Sequence, residues 1–465
     1  MQENSANKRL IIAATLLGAF WAPLLMTAAN VALPAIGSEF KAAPHILSWV
    51  VSSTLLVTAM FVLPAGRISD IYGRKKIMLL GTAILTVTSL LCGLAGSVYF
   101  LIFCRSIQGI GAAMLSVTVI SIVTSAFPPG ERGKALGINV AATYIGLSAS
   151  PFFSGLVTQY YSWRHIFFIS VPIGLLLMLI LLAIKKEWRE ADALKLDYTG
   201  SLVYAAAILA VIWGLTNLKT SVYAPFILLA GIVVLFVFVY LEFRVPNPLM
   251  DMARMKNNRV LVFSSLAAFI NYSSTFAISY MMSLYLQYIK GISPQYTGMI
   301  MFVQPAFQAV FSPVAGMLSD KKDPQYVASV GMGLIAVCLF GMGLFDADTP
   351  LLPAIILLAL IGTGFAIFSS PNVNSVMGSV AGRDYGIASG ILATARTVGQ
   401  SFSMAVSALI VSFYLGQNDI TKETAALFVR SFKTTFFLFA ALCFLGIWAS
   451  LARGKREGIS GKGDE

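Results

Sequence analysis

The chain alternates long apolar runs with short polar connections along its whole length. The hydrocarbon core of a bilayer is about 30 Å thick, so a helix that crosses it needs roughly 20 mostly apolar residues. Runs of this kind predict fourteen transmembrane helices. They lie near residues 10–36, 46–66, 77–95, 99–126, 135–159, 165–184, 198–217, 223–242, 260–288, 295–318, 326–344, 351–377, 386–414 and 432–452. The first run is too long for the apolar part of a signal peptide, so we expect it to be retained as a span.

The composition is that of a membrane protein and excludes an ordinary soluble enzyme. Hydrophobic residues make up 58% of the 465 positions and charged residues 11%, against about 25% charged residues in soluble domains. The net charge of +12 sits between apolar runs, so it does not indicate a nucleic-acid surface. The four cysteines stand singly inside apolar runs, and no metal or other cofactor is predicted.

Basic residues are concentrated in every second connection. Lys and Arg favour the cytoplasmic side of a membrane, and the clusters at 74–76 and 185–186 fall on the same side when the spans are counted in order. A miscount by one helix would scramble this asymmetry. We therefore expect a protein integral to the cytoplasmic (inner) membrane, with its N- and C-termini in the cytoplasm.

An internal repeat divides the chain. The connection from Gly66 to Lys76 reads GRISDIYGRKK, and that from Gly316 to Lys322 reads GMLSDKK. Duplicated halves commonly frame a substrate site near the bilayer midplane. Matching spans 1–6 with spans 9–14 predicts an N-terminal six-helix bundle over 1–190, an inserted pair formed by spans 7 and 8 over 191–258, and a C-terminal six-helix bundle over 259–465.

The repeated connections hold a candidate conformational latch. Glycine at a helix end permits a tight turn, and an Asp near a helix N-terminus accepts backbone N–H bonds and meets basic side chains. A simple positive-inside anchor is the alternative, and the repetition favours the latch. The candidate latch residues are Gly66, Asp70, Gly73, Arg74, Lys75, Gly316 and Asp320.

These motifs resemble the major facilitator superfamily, and specifically its fourteen-span drug:proton antiporter group. The stretch from Gly66 to Lys76 is similar to the superfamily's G-x-L-a-D-r-x-G-r-K-x connection, and Leu101 to Ala113 resembles the span 4 motif l-x-x-x-R-x-x-q-G-x-g-a. The resemblance covers nearly the whole chain. It implies an all-α integral membrane protein of the major-facilitator-type fold, with two six-helix bundles plus an inserted helix pair, and a proton-coupling role for Arg105.

A third match concerns span 5. The group's antiporter motif g-x-x-x-G-P-x-x-G-G is matched with serine at two glycine positions. Small residues permit close helix packing and proline kinks a helix, so a hinge is expected here, although such spacing is also common in ordinary membrane-helix packing. The hinge candidates are Gly146, Ser150, Pro151, Ser154 and Gly155.

The chain departs from the group in its acidic residues. Span 1 of the group carries an acid in the pattern L-D-x-T-x-x-N-x-A-L-P, where this chain has Leu25, and all 20 Asp and Glu residues map to connections, termini or span edges. An intramembrane carboxylate is the usual proton carrier, so protons stay a candidate partner without their usual residue. Arg105 and Arg396 lie inside spans, where they are either held by carbonyls and amides or line a cavity and attract an anionic group.

Polar and aromatic residues inside the spans define a predicted substrate pathway. Polar side chains facing lipid are penalised, so they should point to neighbouring helices or into a cavity. Each residue alone could simply hold two helices together. The candidates are Asn30, Trp49, Arg105, Gln108, Asn139, Tyr144, Asn271, Tyr272, Tyr280, Gln304, Gln308, Asn372, Asn374, Arg396 and Gln400.

The predicted function is that of a secondary active exporter of small amphiphilic or drug-like compounds by alternating access, with protons as the candidate coupling ion. The alternative is an uncoupled or differently coupled carrier of lipid-like or anionic solutes. The expected partners are a small-molecule substrate and the lipid bilayer, and a monomer is expected to function because the pathway lies within one chain. No enzyme is predicted, since no catalytic constellation and no ATP-binding loop is found.

Overall fold

The structure is a computed structural model, and it describes residues 2–189, 196–245, 248–250, 258–380, 385–416 and 418–454. Side chains within those ranges are described except at 2–7, 129–134, 136, 137, 140, 148, 320, 321 and 385–387. All regular elements of the described ranges are helices. They are α1 (Gln2–Phe40), α2 (Pro44–Tyr72), α3 (Arg74–Gly93), α4 (Val98–Ala126), α5 (Pro129–Tyr160), α6 (Trp163–Ala183), α7 (Tyr198–Thr216), α8 (Ala224–Glu242), α9 (Arg259–Ile289), α10 (Pro294–Lys321), α11 (Pro324–Met342), α12 (Leu351–Gly378), α13 (Tyr385–Leu415) and α14 (Ala425–Ala452).

Each predicted span falls on one of these helices. Thirteen helices of the described ranges are long and apolar enough to cross a membrane, and α5, with 32 residues, matches the remaining predicted span. The prediction of an all-α membrane fold is therefore confirmed.

Helix α9 differs from the single continuous span that its hydropathy predicts. It consists of the segments Arg259–Thr275 and Ile278–Leu284 and a π-helical turn, Tyr285–Ile289. At the first break, the backbone N–H of Ala277 donates to Ser403 Oγ of α13 at 3.1 Å. A side chain from another helix thus satisfies a backbone group that the break releases, which is how broken helices are tolerated in membranes.

The packing of helices repeats with a shift of eight. In the first half the contacting pairs are α1–α4, α1–α5, α1–α6, α2–α4, α3–α4 and α3–α6. In the second half they are α9–α12, α9–α13, α9–α14, α10–α12, α11–α12 and α11–α14. Two six-helix bundles of the same internal arrangement result. The predicted borders near 190 and 258 adjoin ranges outside the described residues, so the division at residue level stays a prediction.

The two bundles meet along two helix crossings, α2 with α13 and α5 with α10. The inserted helices α7 and α8 pack on each other, and α7 lies against both α2 and α13. The phenol of Tyr204 on α7 donates to the carbonyl oxygen of Ala59 on α2 at 2.9 Å. The inserted pair therefore lines the outside of one crossing and leaves the repeated bundles intact.

We call the end of the molecule that carries the α2–α3 connection the α2–α3 end, and the opposite end the α1–α2 end. At the α2–α3 end, Asp70 pairs with Arg74 at 2.7 Å, and Arg74 donates to the Ser121 carbonyl of α4 at 3.2 Å. Lys75 donates through its ammonium group to the Ile184 carbonyl at 2.8 Å. The predicted latch residues thus tie together helices of their own bundle.

The glycines of the candidate latch differ in how closely they are approached. Gly73 has a φ of 113°, and a Cβ there would lie 2.7 Å from the carboxyl carbon of Glu187. A Cβ on Gly66 would meet no atom within 4 Å, and one on Gly316 would lie 3.2 Å from Ser370 Oγ. Only Gly73 is therefore required by the local backbone. The side chain of Asp320 lies outside the described residues.

Candidate functional site

A cavity of about 1120 Å³ lies between the two bundles. Its walls come from α1, α2, α4 and α5 on one side and from α9, α10, α12 and α13 on the other, with the first residue of α3 at its rim. The lining reaches Arg74, Ser125, Asn374 and Met377 near the α2–α3 end. The cavity therefore extends from the middle of the molecule towards that end.

Direct contacts between the bundles close the α1–α2 end. The side-chain amide of Asn30 on α1 donates to Ser279 Oγ on α9 at 2.9 Å, and Ser283 Oγ donates to the Asn30 carbonyl at 2.8 Å. One turn further, the Gln287 amide donates to the Val31 carbonyl at 3.0 Å. These bonds involve backbone and uncharged side chains, so they can break without separating charges.

The predicted hinge in α5 presses against α1. Ser150 Oγ donates to the Leu24 carbonyl at 3.0 Å, and Ser154 Oγ donates to the Ala28 carbonyl. A Cβ on Gly146 would lie 2.2 Å from a carbonyl oxygen of α1. The two serines that replace the group's glycines thus keep the close approach and add hydrogen bonds across it.

The same segment of α5 also forms the crossing with α10. A Cβ on Gly155 would lie 2.4 Å from the Pro294 carbonyl oxygen, and a Cβ on Gly298 would lie 2.3 Å from the Pro151 carbonyl oxygen. The two helix backbones therefore touch. A contact this close requires glycine on both helices and lies between the two bundles.

Nine of the predicted pathway residues line the cavity. They share polar or aromatic side chains and come from α5, α9, α10, α12 and α13. They are Asn139, Tyr144, Tyr272, Gln304, Gln308, Asn372, Asn374, Arg396 and Gln400. Between the bundles, the Tyr144 hydroxyl hydrogen-bonds Ser369 Oγ at 2.6 Å. A belt of polar groups thus crosses the cavity, and the other lining residues are mainly apolar residues and small Ser and Thr side chains.

The other six predicted pathway residues do not line the cavity. Asn30 and Tyr280 belong to the closed α1–α2 end, where the Tyr280 hydroxyl lies 3.5 Å from the Pro44 carbonyl. Asn271 is fully buried within its bundle, and Trp49 packs on an apolar cluster where α2 meets α7 and α13. Polarity alone does not distinguish a cavity wall from a contact between helices, so for these six residues a place in the pathway stays a prediction.

Arg105 and Gln108 are the remaining two, and they form a buried network inside the first bundle. Arg105 is 0% exposed and donates to the carbonyls of Val50 at 3.0 Å and Leu25 at 3.3 Å and to Gln108 Oε1 at 2.6 Å. Gln108 in turn donates to Ser89 Oγ at 2.9 Å. Leu25 stands at the group's acidic position, and its backbone carbonyl accepts a hydrogen bond from Arg105.

Sequence reasoning missed a second buried arginine. Arg453 is not among the candidate residues, yet it is 2% exposed and donates to Asn372 Oδ1 at 3.1 Å and to the Ser450 carbonyl at 2.7 Å. Burial lowers its pKa to about 10, so it stays charged at neutral pH. Its position after the last apolar run gave no signal of burial.

The structure also adds cavity-lining residues that sequence reasoning did not select. Most are apolar or small and follow helical spacing on α1, α4 and α12. They include Met26, Leu115, Val119, Phe276, Met282, Met301, Phe365, Phe368 and Ser369. In a chain this apolar, residues facing a cavity and residues facing lipid have the same composition, so no sequence signal separates them.

The cavity is electrostatically asymmetric. Its described lining contains no Asp, Glu, Lys or His, and its charged residues are Arg74 and Arg396. Arg74 is paired with Asp70, whereas Arg396 forms no ion pair with a described residue. Arg396 lies beside the phenol of Tyr272 and faces that of Tyr144. The middle of the cavity is therefore positive.

Comparison with known proteins decides the family. The family model described as Major Facilitator Superfamily matches residues 15–246 and 264–464. The chain belongs to the major facilitator superfamily. As a major facilitator protein it is an integral membrane secondary transporter, and this family consists of transporters rather than enzymes.

Relatives of this major facilitator protein include transporters with different named cargoes. It is 29% identical over 448 residues to the riboflavin transporter RibZ of Clostridioides difficile, covering 95% of this chain and 96% of the relative. It is 30% identical over 411 residues to the multidrug resistance protein Stp of Mycobacterium tuberculosis, covering 87% and 76%. The tetracenomycin C resistance and export protein of Streptomyces glaucescens is 27% identical, with 87% and 76% covered.

Solved structures share the fold. A D-xylose–proton symporter matches with a TM-score of 0.68 and 15% identity over 96% of each chain. A bacterial homologue of the human lysosomal transporter Spinster, in an inward-facing and unoccupied conformation, also matches with a TM-score of 0.68 and 15% identity over 96% of each chain. At this identity the likeness concerns the fold, which is the predicted major-facilitator fold.

Proposed function

We propose that this protein exports small amphiphilic or drug-like compounds by alternating access through the cavity between its bundles. The observation that carries the proposal is the cavity itself, which is closed by bundle contacts at one end and extends to the other. Small-molecule sites are concave, mostly apolar and equipped with few polar groups that fix orientation. Relatives named for multidrug resistance and tetracenomycin C export support a drug-like cargo.

The excess of basic residues assigns the α2–α3 end to the cytoplasm. The cavity then faces inward, so a compound reaches it from the cytoplasm or the inner leaflet. Outward release requires the α1–α2 end to open while the bundles close at the α2–α3 end. The α5–α10 and α2–α13 crossings, which are equivalent under the eight-helix repeat, are the places where this rocking occurs.

In this rocking, the candidate latch stabilises the first bundle at the α2–α3 end. The α2–α3 connection is anchored to the segment after α6 through Lys75 and Glu187. Gly73→Ala should strain this connection because of its positive φ and the contact with Glu187. We expect slower transport and faster trypsin cleavage at the exposed Lys185 and Lys186. Transport and cleavage as in the unmodified protein would remove the latch role.

Cavity variants test the proposed pathway. Tyr272→Ala and Gln304→Ala remove lining groups, so they should lower the transport rate of a cargo compound in proteoliposomes severalfold. Tyr296→Ala is the matched control, because Tyr296 lies on α10 with 62% of its surface exposed. Unchanged rates in both cavity variants, at equal protein folding, would contradict transport through this cavity.

A second candidate concerns coupling. The absence of Asp and Glu from the described cavity lining favours an uncoupled or differently coupled carrier over a proton antiporter. Proton antiport predicts that an imposed pH gradient drives cargo flux at zero membrane potential, while the second candidate predicts no response. Measuring flux after a pH jump in potential-clamped proteoliposomes distinguishes the two.

A further inference from the structure

In the described part of the chain, the cavity holds one cation without a fixed counter-charge. Among the described residues, Arg396 is the charged lining group that has no ion-pair partner. A charged side chain at membrane depth is costly unless water, a pore or a partner compensates. The Tyr272 phenol beside the guanidinium supplies part of that compensation, and an anionic ligand would supply the rest.

The surroundings of Arg396 favour an anion over a cation. The Tyr272 phenol lies beside the guanidinium, and Ser369 bonds the Tyr144 phenol across the cavity. Gln400 lies one helical turn along α13 from Arg396 and also lines the cavity. Guanidinium, hydroxyl and amide groups all donate hydrogen bonds, and guanidinium binds carboxylate, sulfonate or phosphate with two parallel bonds.

The remaining walls supply a site for an apolar body. Phe276, Phe365, Phe368, Met282 and Met301 line the same cavity. Aromatic and methionine side chains accommodate flat or irregular apolar groups. The cavity therefore presents a polar anion-binding group beside apolar walls within one space of about 1120 Å³.

We infer that the cargo is an anionic amphiphile whose acidic headgroup binds Arg396 while its apolar part lies against the Phe and Met side chains. This inference rests on the proposed transport through the cavity and names its substrate class. A cationic drug would instead be repelled by Arg396 and would find no carboxylate among the described lining residues.

An anionic cargo also accounts for export without an intramembrane carboxylate. A membrane potential that is negative inside drives a negative charge outward. For one elementary charge and 100 mV, this corresponds to a concentration ratio of about 50. Net flux of such a cargo should follow the potential even when no pH gradient exists.

Two dyes with the same xanthene ring and opposite charge test the inference. Proteoliposomes are offered carboxyfluorescein, which is anionic, or rhodamine 123, which is cationic, at clamped potential and equal pH. We expect carboxyfluorescein transport above that of protein-free vesicles, directed to the positive side, and faster than rhodamine 123 transport. Absence of carboxyfluorescein transport, or rhodamine 123 transport at an equal or greater rate, would overturn the inference.

Variants of Arg396 locate the selectivity. Loss of a hydrogen-bonded charge should slow carboxyfluorescein transport roughly ten- to a hundredfold in Arg396→Gln. Arg396→Lys should restore part of the rate, because Lys keeps the charge but not the paired geometry. Arg396→Glu should shift the preference to rhodamine 123. Melting temperatures in detergent show whether each variant is folded, and an unchanged dye preference in folded Arg396→Gln would overturn the inference.

The outcomes separate this inference from the proposed function. If rhodamine 123 is carried and Tyr272→Ala slows it, transport through the cavity stands and the anionic substrate class fails. If carboxyfluorescein is carried at equal rates by the unmodified protein, Tyr272→Ala and Gln304→Ala, transport through this cavity fails.

Discussion

At the scale of single residues, Arg105, Arg453 and Arg396 differ in what surrounds them. Arg105 and Arg453 are enclosed by carbonyl, amide and hydroxyl acceptors within their own bundles. Arg396 instead borders open space between the bundles. The first two stabilise each bundle as a rigid body, and the third is available to a ligand.

Removing the charge of Arg105 should therefore affect stability before it affects transport. Arg105→Met leaves Gln108 Oε1 and two backbone carbonyls without their donor, at a cost of about 2–4 kcal/mol. We expect a clearly lower melting temperature in detergent, with Arg430→Met as the control because Arg430 is exposed. An unchanged melting temperature together with lost transport would instead favour the coupling role that the family resemblance implies.

At the scale of helices, α5 makes one close contact within its own bundle and another with the second bundle. Its serines bond the carbonyls of α1 inside the bundle, and its glycine faces α10 of the other bundle. Helix α9 contributes to the same region through its break at residues 276–277 and its π-helical turn. Irregular helices of this kind are common where a transporter binds its cargo and changes shape.

Bulk at the α5–α10 crossing should open the α1–α2 end. Gly155→Val places atoms where the Pro294 carbonyl lies, and overpacking of this kind costs about 1–3 kcal/mol. We expect a Ser279→Cys reporter to react faster with a membrane-impermeant thiol reagent applied at that end. Gly333→Val is the control, since a Cβ there would meet its nearest atom at 3.8 Å. Equal reactivity in both variants would mean that this crossing does not hold the end closed.

Some features of the helices could be predicted from the sequence, and others could not. Span number and the repeat follow from the thickness of the bilayer and from the paired G-x-[IL]-S-D connections, and both predict the arrangement found. The break in α9 was not predictable, because residues 275–278 are as apolar and small as their neighbours. Whether a polar residue such as Asn271 or Asn374 faces a cavity depends on how its helix is rotated about its own axis. Hydropathy does not determine that rotation when a helix is apolar on all its faces.

At the scale of the whole molecule, two equivalent bundles enclose one cavity, and the described contacts close it at a single end. The inserted pair lies outside this arrangement, against α2 and α13. The cavity and its closing contacts both lie within one chain. In the proposed transport cycle, opening of the α1–α2 end is an obligatory step.

A reversible cross-link across the closed end tests whether transport requires the α1–α2 end to open. The native cysteines Cys92, Cys104, Cys338 and Cys443 are buried and are first replaced by serine or alanine. Asn30→Cys with Ser279→Cys then joins the two bundles at a contact of 2.9 Å between side chains. Ser329→Cys with Ser450→Cys is the control, because this 2.9 Å contact lies inside the second bundle.

Transport is measured in proteoliposomes after oxidation and again after reduction. We expect that oxidation stops transport in the Asn30–Ser279 pair, that reduction restores it, and that the Ser329–Ser450 pair transports in both states. Continued transport with the Asn30–Ser279 disulfide fully formed would contradict this expectation.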